Sequence, residues 1–103
     1  MNLGIDSSNQ QLNKNKVVFL DKARIALDAL QNDEQAKVMH VINCLEEFPN
    51  SSLVKINQLK SIPNYFIARS GIYRIIFEFK PEQITIVDIV NRNRLEMLYS
   101  SLA

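Results

Sequence analysis

The residues best placed to do chemistry are cations. Between positions 55 and 80 the chain carries Lys55, Lys60, Arg69, Arg74 and Lys80 against Glu78 alone, a net +4. The flanks are acidic, −2 over residues 1–54 and −1 over residues 81–103. A cationic stretch in a chain of net charge +1 points to a phosphate-bearing ligand or to a solvated surface cluster. Arginine suits the first, because its planar fork of donors matches phosphate oxygens. If Ser70-Gly71 is a two-residue hairpin turn, Arg69 pairs with Ile72 and Ile67 with Arg74. Arg69 and Arg74 then lie diagonally on one sheet face, where like charges repel unless an anion separates them. The alternative is that Arg74 pairs with Glu78 along its own strand and Arg69 stands in solvent at the turn. Two further arginines, Arg92 and Arg94, follow the last apolar run. Tyr99 has two readings, a core residue or one leaning over a cleft.

Other chemistries lack their residues. There is no Cys/His cluster for zinc and no glycine-rich nucleotide loop, since the only glycines are Gly4 and Gly71. His40 is the sole histidine and no serine or cysteine has one nearby, so it reads as structural or solvated. Cys44 is the sole cysteine; it excludes an internal disulfide, reads as a small packing residue and fits a reducing cytosol. No apolar run approaches the roughly 18 residues of a membrane span. The expectation is a cytoplasmic protein without membrane attachment, metal or cofactor.

The elements that must position the cations can be read from periodicity. The 103 residues suit one domain, with an apolar share of 47%. Residues 1–15 are polar and aperiodic, a flexible N-terminal arm before a domain over 16–103. Val17–Leu20 is strand-like. Asp21 can cap a helix carrying Ala23, Ala26, Leu27 and Leu30. Asn32 with Gln35 three positions on suggests a capping box for a second helix with Val38, Val41, Ile42, Leu45 and Phe48 on one stripe, ended by Pro49-Asn50. After the turn at Ile62-Pro63-Asn64 the period becomes two. Strands are expected over Phe66–Arg69, Ile72–Lys80 and Ile84–Asn91, with Tyr73, Ile75, Phe77 and Phe79 facing the helices. Leu95, Leu98, Tyr99 and Leu102 have the spacing of a closing helix. The order β-α-α-β-β-β-α predicts an α+β fold: an N-terminal strand and helical hairpin on one face of a small antiparallel sheet, with Arg74 on the face left open.

The run Gln58-Leu59-Lys60 … Ile62-Pro63-Asn64-Tyr65-Phe66-Ile67-Ala68-Arg69-Ser70-Gly71-Ile72-Tyr73-Arg74-Ile75-Ile76-Phe77 resembles the signature of the RelE/ParE toxin superfamily. Ile86-Val87-Asp88-Ile89-Val90 and Arg92 … Tyr99 resemble the family's last strand and its Arg-x-x-x-Tyr-like ending. With the helical hairpin the resemblance spans roughly residues 16–100. It implies the toxin half of a type II toxin–antitoxin system, neutralised by a cognate antitoxin in a hetero-oligomer. RelE-type members are ribosome-dependent mRNA endonucleases that work through Lys, Arg and Tyr. The resemblance thus implies Arg69, Arg74 and Tyr99 as catalytic, Lys55, Lys60, Arg92 and Arg94 as RNA-binding, and the ribosome and mRNA as partners. Ile67 stands where the family's first strand base falls, Asn93 where RelE has its C-terminal arginine, and no histidine precedes Arg92. The leading expectation is an mRNA interferase. The alternatives are a ParE-like, non-enzymatic toxin acting on DNA gyrase and a degenerate member that only binds its antitoxin.

Overall fold

The computed structural model describes residues 14–50 and 54–99, the last two by backbone alone. Alternating apolar positions make the sheet. Its strands are β1 (Lys16–Phe19), β2 (Ile56–Gln58), β3 (Tyr65–Ser70), β4 (Tyr73–Lys80) and β5 (Gln83–Asn91), in the spatial order β1-β5-β4-β3-β2. Neighbours from β2 to β5 are antiparallel, and β1 joins the far edge parallel to β5. The helices are α1 (Asp21–Asp28), α2 (Asn32–Cys44), which runs on into a single 3-10 turn at Leu45–Glu47, and α3 (Arg92–Tyr99). The expected α+β architecture is therefore present. Strand β2 and the parallel attachment of β1 are additional to what periodicity predicted, because three residues are too few to show a period.

One sheet face packs on the helical hairpin. Ala23 and Leu27 of α1 and Val38 and Ile42 of α2 meet Ile75, Phe77, Ile84, Ile86 and Ile89 of the sheet. Phe48 fills the gap beyond α2, its ring 5.0–5.3 Å from those of Phe66, Phe77 and Phe79 and edge-on to each. Such edge-to-face contacts add about 0.5–1.5 kcal/mol each beyond the area they bury.

The second face is not bare. Leu59, Ile67, Ile76, Val87 and Val90 form a smaller buried cluster, edged by Tyr65 and by Leu95 of α3. A β-bulge lets β5 serve both faces. Ile76 pairs with Asp88 but Phe77 with Ile86, so Val87 is the extra residue. Ile84 and Ile86 before it, and Ile89 after it, can then all point to the helices.

Local signals were displaced by about one residue. The N-caps are Leu20 and Gln31, neither using its side chain, so Asp21 and Asn32 are first-turn residues. Gln35 closes no capping box; its Nε2 donates to the Leu27 carbonyl at 3.0 Å, satisfying an acceptor at the end of α1. Of the expected N-terminal arm, residues 1–13 lie outside the described residues. Asn15 is buried: its N–H donates to Glu46 O, and its Nδ2 to Leu45 O and Phe48 O. Leu102 of the closing helix lies outside the described residues. Among the described residues no helix is long and apolar enough to cross a membrane.

Candidate nucleic-acid interface

The site is set by the β3–β4 hairpin. Its two-residue loop is Gly71-Ile72, since Ser70 pairs with Tyr73. Gly71 has φ +58° and Ile72 does not share the positive sign. That is the pattern of a II′ turn, which takes glycine first and matches the twist of the strands. The shift of the turn by one residue corrects the expected register: Arg69 pairs directly with Arg74, and Ile67 with Ile76. The two arginines are cross-strand neighbours, closer than the diagonal placement expected from sequence. Lys55 is carried alongside, its carbonyl accepting from the Arg69 N–H at 3.1 Å.

Arg74 is only 8% exposed. Its Nη1 donates to the Gly71 and Tyr73 carbonyls, both at 2.9 Å, which pins the guanidinium beneath the turn. No carboxylate among the described residues pairs with it. Glu78, the partner weighed from sequence, is half-buried and instead lies 3.9 Å from the exposed Lys80, a surface pair of little energetic weight. Burial, then Arg69 and Arg92, hold the Arg74 pKa below the usual arginine value. A buried cation with like-charged neighbours is an arrangement whose cost an anion removes.

Arg74 and Arg69 wall a groove of about 380 Å³ between β2, β3 and α3. Its floor is Leu59, Ile67 and Leu95, and Asn57, Gln58 and Lys60 complete the rim. Arg92 begins α3, its N–H donating to the Ile72 carbonyl at 2.8 Å, and lines a shallower recess with Ile72 and Asn93. Asn91 caps that helix, accepting the Arg94 N–H at 2.8 Å.

The structure thus gathers Arg69, Arg74 and Lys60 at one groove with Arg92 beside it. Arg94 is exposed on the first turn of α3, outside the groove lining, and the Tyr99 side chain lies outside the described residues. His40 is exposed and Cys44 half-buried, both on α2. The sequence gives no site signal at Asn57, which is uncharged, and places Leu59 only in the resembling run and Leu95 only in the apolar stripe of the closing helix. Among the described residues no His, Cys, Asp and Glu side chains cluster to hold a metal.

A helical hairpin on one face of a five-stranded mixed sheet, followed by a short C-terminal helix, matches the fold of RelE-like toxin structures. RelE in the RelB–RelE antitoxin–toxin complex of Methanococcus jannaschii superposes with a TM-score of 0.68 at 18% identity, covering 80% of this chain and 98% of that one. RelE of the Pyrococcus horikoshii RelE–RelB complex gives 0.65 at 22%, covering 79% and 98%. The Escherichia coli DinJ–YafQ toxin–antitoxin complex gives 0.66 at 12%, covering 80% and 97%. No family model and no curated protein matches the sequence. At these identities the likeness is one of fold.

Proposed function

We propose that this chain is the toxin component of a type II toxin–antitoxin system and that it cuts mRNA on the ribosome. The observation that carries the reading is Arg74: buried, fixed by two backbone carbonyls, without a carboxylate partner among the described residues, and lining a groove that also holds Arg69. Ribonuclease chemistry by this route needs no metal. The 2′-hydroxyl loses its proton and attacks the adjacent phosphorus, and the 5′-oxygen leaves and takes up a proton. Negative charge builds on the phosphoryl oxygens in between. Donors already held in place stabilise that charge without reorganising. The Nε and Nη2 donors of Arg74 suit this role, with Arg69 as the second cation. Lys55, Lys60, Arg92 and Arg94 hold flanking phosphates. Tyr99 stacks on a base or assists proton transfer, a role that rests on the resemblance.

The antitoxin is the second partner in this reading, since the solved relatives are toxin–antitoxin complexes. The test is Arg74→Ala. It abolishes growth arrest, with cleavage slowed by a factor of about 10² to 10³, while the protein remains soluble and folded. Undiminished toxicity in a soluble Arg74→Ala protein would remove the role assigned here.

A further inference from the structure

The groove joins two chemistries that a phosphate alone does not need. Beside the arginines lies an apolar floor: Leu59 is 2% and Ile67 7% exposed, with half-buried Leu95 closing the far side. At its rim stands Asn57, paired across β2–β3 with Ile67 and therefore on the same sheet face. Its amide is exposed and has donors and an acceptor to offer a ligand. Ile67 and Arg69 are two residues apart on one strand, about 6.6 Å. That is of the order of the distance between a base and its own phosphate. The volume, about 380 Å³, falls within the range of about 300 to 1,000 Å³ typical of small-ligand pockets.

The geometry points to a nucleobase subsite: the Leu59–Ile67–Leu95 floor takes one unstacked base of single-stranded RNA, Asn57 hydrogen-bonds its edge, and Arg69 and Arg74 hold the phosphate attached to it. Single-stranded RNA is recognised in this way, by splayed bases seated on side chains and read along their edges. Charge selects this occupant over an apolar peptide segment, because an aliphatic anchor leaves both arginines without an anion. The inference deepens the nuclease reading and rests on it for the ligand's class. Ile67, which interrupts a run of bases in the resemblance, becomes on this account a specificity element.

The experiment titrates the full chain, with labelled methyl groups, with a trinucleotide of 2′-O-methyladenosine, which lacks the attacking hydroxyl and stays intact. The comparison ligand is the same trinucleotide with an abasic central unit. The intact ligand binds about tenfold tighter and shifts the Leu59, Ile67 and Leu95 methyl resonances, whereas the abasic one leaves them in place. Asn57→Ala, an exposed substitution, narrows the gap between the two ligands; Arg69→Ala weakens both alike. Equal affinities overturn the inference, as does absence of binding by either ligand. Methyl shifts that arise only with an acidic amphipathic peptide also overturn it, and give the floor to a protein partner. mRNA cleavage in cells is a separate readout: cleavage together with equal affinities removes the base subsite and leaves the nuclease reading standing.

Discussion

On the proposed reading, Arg74 is structural and functional at once. Its Nη1 ties the hairpin turn together, and the residue lines the groove. Arg74→Lys keeps the charge but not the fork, so it is expected to retain the fold and lose most of the activity in an mRNA-cleavage assay. Arg69 differs. It is exposed and adds repulsion to Arg74. Arg69→Ala therefore leaves unfolding free energy within about 0.5 kcal/mol of wild type, or slightly raised, while weakening RNA binding. A denaturant midpoint well below wild type would contradict this. Both arginines and their shared face were legible in the sequence, because strand alternation fixes faces even when the turn is misplaced by a residue. Direct pairing was not, since Ser70-Gly71 and Gly71-Ile72 are both acceptable two-residue loops and only the pairing of Ser70 with Tyr73 decides between them.

At the scale of elements, the turns store strain that can be measured. Pro81-Glu82 links β4 to β5, and Glu82 has φ +69°, a left-handed conformation unfavourable for a residue with a Cβ. Proline before a positive-φ residue is the type II pattern, and Ile62-Pro63-Asn64 repeats it with asparagine, which tolerates that region better. Glu82→Gly is expected to stabilise the protein by up to about 1 kcal/mol, read as a raised midpoint in thermal unfolding. Strands β3, β4 and β5 were legible within a residue or so because each is a run of six or more residues rich in β-branched and aromatic side chains, bounded by turn residues. The bulge at Val87 was not, since a strict period of two puts Ile86 and Ile89 on opposite faces while the structure buries both against the helices. Nor was β2, whose three residues are half-buried or exposed. The caps were misread for a related reason: Gln35 has a carbonyl of α1 in reach, and tertiary geometry overrode the local box.

For the whole molecule, the division of labour between sheet faces is the main result. The helix-side core holds the fold and the opposite face presents the charge. Phe77 is fully buried at the centre of the first, so Phe77→Ala is expected to cost about 3–5 kcal/mol and threaten folding outright. The cationic face predicts strong salt dependence of RNA binding. With about three to five phosphates engaged, log affinity falls with log salt at a slope of roughly −2 to −3.5. A flat dependence would mean that the arginines do not meet phosphate. The net charge of +1 averages over this face, but the local count of +4 over residues 55–80 made it legible in the sequence, because seven of the eleven acids lie before residue 55.

The central claim is tested most directly by inducing the chain in a bacterial host that lacks its antitoxin. Growth, pulse-labelled protein synthesis, pulse-labelled DNA synthesis and the 5′ ends of mRNA are followed together. The expected outcome is a rapid fall in protein synthesis with new mRNA ends inside reading frames, lost in Arg74→Ala. Arrested DNA synthesis with intact mRNA, or normal growth with soluble protein present, would contradict it: the first makes the chain a gyrase poison, the second a binder of its antitoxin alone.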